Sequence, residues 1–227
     1  MTTSHARPST THSPVHTRPD AAGQLLEGHP RRPKPKGNGS LTFFTEFFRS
    51  PIELGTFLPT AAGVGKLMCK DLGLESARAV CECGPGTGPI TISILERLQP
   101  GAHFFAIEYN ARMAESFRRR FPHVRVYQDD ATNIRTLTQR EGLEGLDCVL
   151  SAVPWLVLPR KVQDAMLRET AASLRPGGRF TMVTYLPEAT ASVKAFRRLM
   201  ESHFSNVRLK GTVWGNFPPA YVYQAER

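Results

Sequence analysis

The sequence predicts an α/β fold, a doubly wound sheet of about seven strands that is mostly parallel and has helices on both faces. Short apolar runs alternate with helical patterns along most of the chain, which is typical of parallel sheets. A glycine-rich turn, residues 84–88, follows the first of these runs. The last two apolar runs flank only a short turn at 215–219, which predicts an antiparallel C-terminal hairpin at the sheet edge.

Each predicted element is bounded by turn residues or by a change of hydrophobic period. The seven strands are expected at 79–83, 103–108, 124–128, 146–151, 179–185, 206–214 and 221–224. A loop and a helix precede them, and the later helices are expected at 90–98, 111–120, 132–141, 162–174 and 188–204. The helix before the fifth strand stops at Arg175-Pro176-Gly177-Gly178, because proline and glycine do not continue a helix.

The N-terminal part of the chain predicts two segments outside the main domain. Residues 1–39 are rich in Pro, Ser, Thr, Gly and His and have little to bury, which predicts a disordered tail that ends in the basic cluster 31–36. Residues 40–52 predict an amphipathic helix, either docked on the core or inserted into a membrane interface. Residues 53–227 form the third segment. Four rings share one helix face: Phe43, Phe44, Phe47 and Phe48.

The composition narrows the class of partner. The formal net charge of +9 and the isoelectric point near 9.8 favour an anionic partner, either nucleic acid or an anionic membrane surface. No window approaches the ~20 apolar residues of a membrane span, and no basic-then-apolar leader is visible, so the cytoplasm is the expected location. The four cysteines lack a CxxC spacing, so neither a disulfide nor a metal site is expected.

The glycine-rich turn predicts a ligand. Gly84, Gly86 and Gly88 would let backbone N–H groups approach a ligand closely, and Glu108 ends the second strand, where a nucleotide offers its ribose hydroxyls. Glu82 precedes the first glycine by two residues. A carboxylate there disfavours a pyrophosphate and suits a cation, which points to S-adenosylmethionine (SAM), with its sulfonium and ammonium.

Several ordered motifs together resemble the class I SAM-dependent methyltransferases, whose fold is Rossmann-like, over roughly residues 55–227. The motifs are Glu82–Gly88, Glu108, 129–131, 151–155 and 175–178. The resemblance implies that Glu108 holds both ribose hydroxyls. It also implies adenine contacts for the segment after the third strand and a substrate-facing motif after the fourth. Three residues of these segments are expected to contact the cofactor: Asp130, Ala131 and Ser151.

The motif after the fourth strand bears on the substrate. Enzymes that methylate an exocyclic base amine usually carry Asn or Asp where this chain has Ala152. In this chain a base amine would therefore have no side-chain oxygen at that position to accept its hydrogen bond. Trp155 would still be able to stack on a base. The sequence therefore argues against an adenine N6 enzyme, and RNA methylation of the adenine dimethylase type stays open as the alternative; a nucleic-acid partner is not favoured.

A narrower resemblance is to the bacterial phospholipid N-methyltransferases that act on phosphatidylethanolamine. It rests on the phenylalanine-rich segment, on 51–55, on Leu58–Ala61 and on the ending Asn216–Tyr223. Thr60-Ala61 departs from the two serines that such relatives often carry. The resemblance implies methylation of phosphatidylethanolamine and its mono- and dimethyl derivatives towards phosphatidylcholine, at the cytoplasmic face of a membrane to which the protein attaches peripherally.

Under that reading, several side chains are candidates for the substrate site. Tyr185, at the end of the fifth strand, would orient the lipid amine or accept its proton. Trp155 would hold methylated ammonium groups by cation–π attraction, and Asn216 lies in the terminal motif. The group that grips the lipid phosphate stays open among Arg160, Arg208 and Lys210.

Overall fold

The computed structural model describes residues 58–216 and 218–227, with side chains from residue 62 onward, Phe217 excepted. The expected tail at 1–39 and the expected amphipathic helix at 40–52 lie outside the described residues. The four rings proposed for membrane contact lie there too: Phe43, Phe44, Phe47 and Phe48.

One seven-stranded sheet organises the described chain. The strands are β1 Ala79–Cys83, β2 His103–Glu108, β3 Arg125–Gln128, β4 Leu146–Ser151, β5 Leu174–Thr184, β6 Ser205–Val213 and β7 Ala220–Glu226. They lie in the order β3-β2-β1-β4-β5-β7-β6. β1 to β5 pair in parallel, whereas β7 is antiparallel to both β5 and β6. This confirms the predicted sheet with its antiparallel C-terminal hairpin.

Helices cover both faces of the sheet. They are α1 Leu58–Cys69, α2 Pro89–Leu95, α3 Ala111–Arg120, α4 Ile134–Arg140, α5 Arg160–Ser173 and α6 Ala191–Glu201. Because side chains alternate along a strand, Val80 and Cys81 enter different cores. Val80 packs in one core with residues of α1 and α2, and Cys81 in the other with residues of α4, α5 and α6. None of the described helices is both long and apolar enough to cross a membrane.

The main departure from the predicted boundaries is at β5, which begins at Leu174 rather than at residue 179. The Arg175–Gly178 segment does end α5, but it then joins the sheet. Leu174 pairs with Leu146, and the backbones of Gly177 and Gly178 exchange hydrogen bonds with Arg227 at 3.2 and 2.9 Å. These partners are distant in sequence, so local turn signals did not reveal the longer strand.

The carboxyl edge of the sheet, meaning the loops that follow β1 to β5 and the turn between β6 and β7, gathers the predicted site residues. α1 begins at this edge and runs away from it. Gly63, near its start, lies against Val213 at the end of β6. Past the middle of the helix, the Lys210 side chain donates to the carbonyls of Met68 and Lys70.

A buried carboxylate ties three elements together at the opposite edge. Glu141 follows α4, and its side chain is only 3% exposed. It accepts hydrogen bonds from His103 Nε2 at 2.6 Å, from Arg125 Nη1 at 3.0 Å and from the Tyr127 hydroxyl. Burial opposes the charge on Glu141, but these hydrogen bonds outweigh it and lower the pKa of the carboxyl. The ionised carboxylate therefore stabilises the pairing of β2, β3 and α4.

Replacing this carboxylate is expected to destabilise the protein. Glu141→Gln should lower the free energy of unfolding by about 2 kcal/mol, because donors around a buried charge lose their partner. In the folded protein the Glu141 pKa lies below its ordinary value of 4.5. The extra stability of the wild type over Glu141→Gln is therefore complete above pH 4.5 and is lost as the pH falls through the folded pKa. Urea unfolding at several pH values measures it. The matched control is Glu115→Gln, an exposed ion-pair residue on α3 that should cost less than about 0.5 kcal/mol.

Candidate cofactor site at the carboxyl edge

The glycine turn after β1 needs glycine for its backbone shape. Gly84, Gly86 and Gly88 have φ values of 72°, 57° and 84°, in the left-handed region that favours glycine. Gly84 N donates to the Ile107 carbonyl at 2.8 Å, which fixes the turn to β2. A Cβ on Gly84 would lie 3.1 Å from Val153, so the turn also packs tightly against the loop after β4.

The end of α3 supports the turn from the side. A Cβ on Gly88 would lie 2.1 Å from the Phe121 ring, so that ring occupies the space glycine leaves open. Arg120 Nη1 donates to the Thr87 carbonyl at 2.8 Å. Sequence reasoning missed both contacts, because nothing near residue 120 marks a partner more than thirty positions earlier.

Glu108 ends β2 and points its carboxylate at the turn. Oε2 accepts from Gly86 N at 3.1 Å, and Oε1 accepts from Asn110 N at 2.8 Å. The residue is only 8% exposed, and burial raises the pKa of its carboxyl. The acid expected to hold a ribose therefore lies beside the glycine turn.

Glu82 is fully buried beneath the first turn of α2. Its Oε2 accepts from the Thr91 hydroxyl at 2.6 Å, whereas Oε1 has no hydrogen-bond partner among the described residues. Burial, reinforced by the nearby charge of Glu108, raises the Glu82 pKa to about 8. A buried acid with an unsatisfied oxygen suits a ligand that brings positive charge or a donor. Thr91 had not been singled out from the sequence.

The segment after β3 forms a capped turn. Asp130 N-caps a short 3-10 helix, its Oδ1 accepting from the backbone N–H and the hydroxyl of Thr132 at 2.8 and 2.9 Å. Asp129 Oδ1 accepts from Asp130 N at 2.7 Å and from Asn133 Nδ2 at 2.8 Å. Ala131 begins that helix and packs on the core. Both of the contacts that Asp130 makes with Thr132 use Oδ1, and its expected adenine contact stays a prediction.

The loop after β4 is built around a buried tryptophan. Trp155 is 1% exposed and packs against Phe180 and Phe196, with ring centroids 5.8 and 5.4 Å away. Its indole N–H donates to Ser151 Oγ at 3.0 Å. The ring therefore serves the core, where no substrate reaches its faces, and Ser151 holds it in place. Its aromatic type alone could not reveal this from the sequence.

The remaining predicted residues divide between the site edge and other places. Tyr185, directly after β5, lies at the carboxyl edge and is 41% exposed. Asn216 lies in the turn between β6 and β7, and its amide donates to the Pro218 carbonyl at 2.6 Å, so it fixes that turn. Arg160 is exposed where α5 begins at the same edge.

Two basic candidates lie away from the site edge. Arg208 is exposed in the middle of β6, opposite Gln224. Lys210 is engaged by carbonyls at the end of α1, as described above. Because side chains alternate along a strand, Arg208 and Lys210 are expected on the same face of β6. The position of α1, whose carbonyls engage Lys210, does not follow from that alternation. Among the three phosphate candidates, only Arg160 lies at the edge that holds the glycine turn.

This site defines a class of protein. Glycines in the left-handed region, a buried acid beneath the turn and an acid at the end of β2 fit the cationic, ribose-bearing cofactor SAM, and residues 84–88 carry no P-loop lysine. The fold and the site are those of the class I SAM-dependent methyltransferases, and the cofactor that they fit is SAM. Within residues 58–216 and 218–227, no cluster of three or more His, Cys, Asp or Glu is arranged to hold a metal ion, and the four cysteines are free.

Comparisons with known proteins agree with this class. Residues 80–178 match the family model described as a methyltransferase domain. The structure of the N-methyltransferase NodS from Bradyrhizobium japonicum WM9 with S-adenosyl-L-homocysteine superposes with a TM-score of 0.64 at 12% identity, covering 84% of this chain and 99% of that one. Magnesium protoporphyrin IX methyltransferase from Synechocystis PCC 6803 with bound SAM gives 0.61 at 15% identity, covering 86% and 100%.

A sequence relative adds a more particular likeness. The ornithine lipid N-methyltransferase of Singulisphaera acidiphila is 27% identical to this chain over 184 residues, which is 80% of this chain and 92% of the relative. The likeness therefore extends well beyond the segment that holds the glycine turn.

The Glu82 carboxyl predicts a pH-dependent cofactor affinity. Because the Glu82 pKa is about 8 before binding and a bound cation lowers it, binding below pH 8 releases a proton. SAM affinity should therefore rise between pH 6 and 8, by at most about tenfold per pH unit. Calorimetry across this range measures the slope. Glu82→Gln should flatten it, and an equal slope in both proteins would contradict the assignment.

Two glycines of the turn should respond differently to a methyl group. Gly86→Ala and Gly88→Ala both incur left-handed strain of about 1–2 kcal/mol, but only Gly88→Ala also drives a methyl into the Phe121 ring. We expect Gly88→Ala to lower the melting temperature of the cofactor-free protein more. Apart from its two chain neighbours, no described residue lies within 4 Å of a Cβ on Gly86, so that variant should mainly weaken SAM binding. The reverse order of melting temperatures would refute this packing argument.

Proposed function

We propose that this protein transfers methyl groups from SAM to the amine of a membrane lipid, with phosphatidylethanolamine and its mono- and dimethyl derivatives as substrates and phosphatidylcholine as the final product. The observation that carries the proposal is the 27% identity to a lipid N-methyltransferase over 92% of that relative's length. The net charge of +9 supports it, because an enzyme that finds lipid substrates works at a surface that is often anionic.

The chemistry of the site supports an amine acceptor. SAM supplies an electrophilic methyl group on its sulfonium, and the acceptor nitrogen needs a free lone pair to attack in line. Tyr185 is the side chain at the carboxyl edge best suited to orient that nitrogen. Although the residue is 41% exposed, partial loss of solvent around the hydroxyl raises the pKa of Tyr185 above its usual value, so the phenol stays protonated at neutral pH. We therefore assign Tyr185 to orientation by hydrogen bonding rather than to proton removal.

The lipid phosphate requires a cation at the same edge. Arg160 and Lys161 begin α5 there and are both exposed. Arg208 and Lys210 lie elsewhere on β6, so we propose Arg160 as the residue that contacts the phosphate.

RNA methylation of the adenine dimethylase type receives less support. Such a site needs a ring that stacks on the flipped base, and Trp155 is buried in the core instead. The Ala152 side chain offers no hydrogen-bond acceptor for the base amine. Its backbone N–H is engaged as well, because it donates to the Cys83 carbonyl at 3.0 Å.

Ornithine lipid is a second candidate substrate, because the relative that matches most of this chain is named for it. Both lipids present an amine at a membrane surface, so the same Tyr185 orientation serves either. The two differ in the phosphate, which only the phospholipid offers to Arg160.

The test is methyl transfer from radiolabelled SAM to defined acceptors. We expect label in vesicles that contain phosphatidylethanolamine. Label only in ornithine lipid would move the proposal to that substrate, and label only in RNA would refute lipid methylation. Arg160→Gln should raise KM for phosphatidylethanolamine and leave KM for ornithine lipid unchanged, if the latter is also methylated.

Tyr185→Phe is expected to lower kcat about tenfold, the effect of losing one orienting hydrogen bond, with SAM affinity unchanged. The matched control is Tyr109→Phe, which removes a hydroxyl from another exposed tyrosine at the same edge. Because Tyr185 orients rather than deprotonates, its loss should not shift the pH profile of kcat. A shifted profile would assign proton removal to this phenol.

A further inference from the structure

Exposed apolar side chains concentrate at one edge of the protein. Seven large hydrophobic residues are exposed in the described part of the chain, and five of them lie in loops of the carboxyl edge. The five are Tyr109, Val157, Tyr185, Leu186 and Trp214. The other two, Ile92 and Leu95, lie on α2. Because such side chains are normally scattered singly, their concentration beside the cofactor site calls for a function.

Four of these residues follow neighbouring strands of the sheet and are here called the apolar rim: Val157, Tyr185, Leu186 and Trp214. Val157 follows β4, Tyr185 and Leu186 follow β5, and Trp214 begins the turn between β6 and β7. Since the strands lie in the order β4-β5-β7-β6, the rim extends over about 14 Å of sheet edge. Trp214 is 74% exposed, so most of a large apolar ring faces water, which is unfavourable unless another surface covers it.

The charges around the rim are those of a surface that meets anions. None of the six described α-helices has an acidic residue in its first turn, although that position favours acids. α5 instead begins with Arg160 and Lys161, and Lys194 is exposed near the start of α6. The acid in the loop after β5, Glu188, is paired with Arg197 at 2.5 Å.

We infer that the apolar rim is a membrane-docking surface that inserts into an anionic lipid bilayer, so that the cofactor edge faces the lipid headgroups. Tryptophan, tyrosine and leucine with flanking cations are the composition of interfacial membrane contacts. The inference rests on the proposed function for its choice of a bilayer over a protein partner, because a lipid acceptor has to reach this edge.

The test compares two leucines of nearly equal exposure. Leu186 in the rim is 42% exposed and Leu95 on α2 is 40% exposed. In a full-length background, Leu186→Ser should weaken binding to vesicles of phosphatidylglycerol and phosphatidylcholine at least fivefold, and Trp214→Ser should do the same. Leu95→Ser should change the affinity less than twofold. SAM affinity of all three variants should equal that of the wild type, which shows that they are folded.

Tryptophan fluorescence gives an independent readout. Trp155 is buried and Trp214 is exposed, and the chain has no other tryptophan. Vesicles should shift the emission to the blue, and lipids brominated in the acyl chains should quench it, with neither effect in Trp214→Phe. Equal vesicle binding by the wild type and both rim variants would overturn the inference. So would Trp214 emission that is already blue-shifted without vesicles and unchanged by them, because the rim would then be covered by the chain itself or by a second copy.

The vesicles contain no amine-bearing acceptor with a free lone pair, so this result is separate from methyl transfer. Rim-dependent binding without lipid methylation would leave the docking surface intact and refute the proposed function. Lipid methylation in detergent micelles, together with vesicle binding that does not depend on the rim, would support the proposed function and refute the docking surface.

Discussion

The cofactor site depends on two carboxyl groups that are buried next to each other and that, among the described residues, have no cationic side chain as a hydrogen-bond partner. Glu82 lies beneath the glycine turn and Glu108 beside it, and the charge of Glu108 helps to raise the pKa of Glu82. Burying two acids is costly unless a cation or several donors compensate. Glu108 receives two backbone N–H groups, whereas Glu82 receives one hydroxyl and keeps an unsatisfied oxygen. The site is therefore organised around charge that the cofactor supplies.

This constraint explains how the carboxyl edge is divided. The half above β1 to β3 consists of backbone donors, capped turns and buried acids, which suits a polar, cationic donor molecule. In the half above β4 to β6, Trp155 fills the interior and the apolar rim lies on the surface. Under the proposed function, the donor binds in the first half and the acceptor arrives across the second. Donor and acceptor would then meet between the two halves, at the glycine turn and the loop after β4, where Gly84 and Val153 pack closely.

Much of this arrangement was predictable because its signals are local. The strand and helix periods, the glycine spacing, the acid two residues before the turn and the acid at the end of β2 all lie within short windows. The antiparallel C-terminal hairpin was also predictable, because only a short turn separates its two strands. The roles of Trp155 and Lys210 were not predictable in this way. Whether a tryptophan faces a pocket or the core depends on Phe180 and Phe196, and whether a lysine is available depends on the end of α1. Those partners are distant in sequence, as are Phe121 for Gly88 and Arg227 for the start of β5.

The distribution of charge also bears on how a methylated product would leave. Each methyl transfer to a lipid amine yields a cationic nitrogen, which a nearby free carboxylate would retain. The nearby carboxylates are not free to bind an ammonium. Glu82 and Glu108 are buried at the cofactor site, and Glu188 near the rim is paired with Arg197. Exposed cations at the start of α5 repel an ammonium while still attracting a phosphate. An acceptor held by its phosphate and released at its nitrogen is suited to repeated methylation, since the headgroup is then able to reorient between transfers while the lipid stays bound.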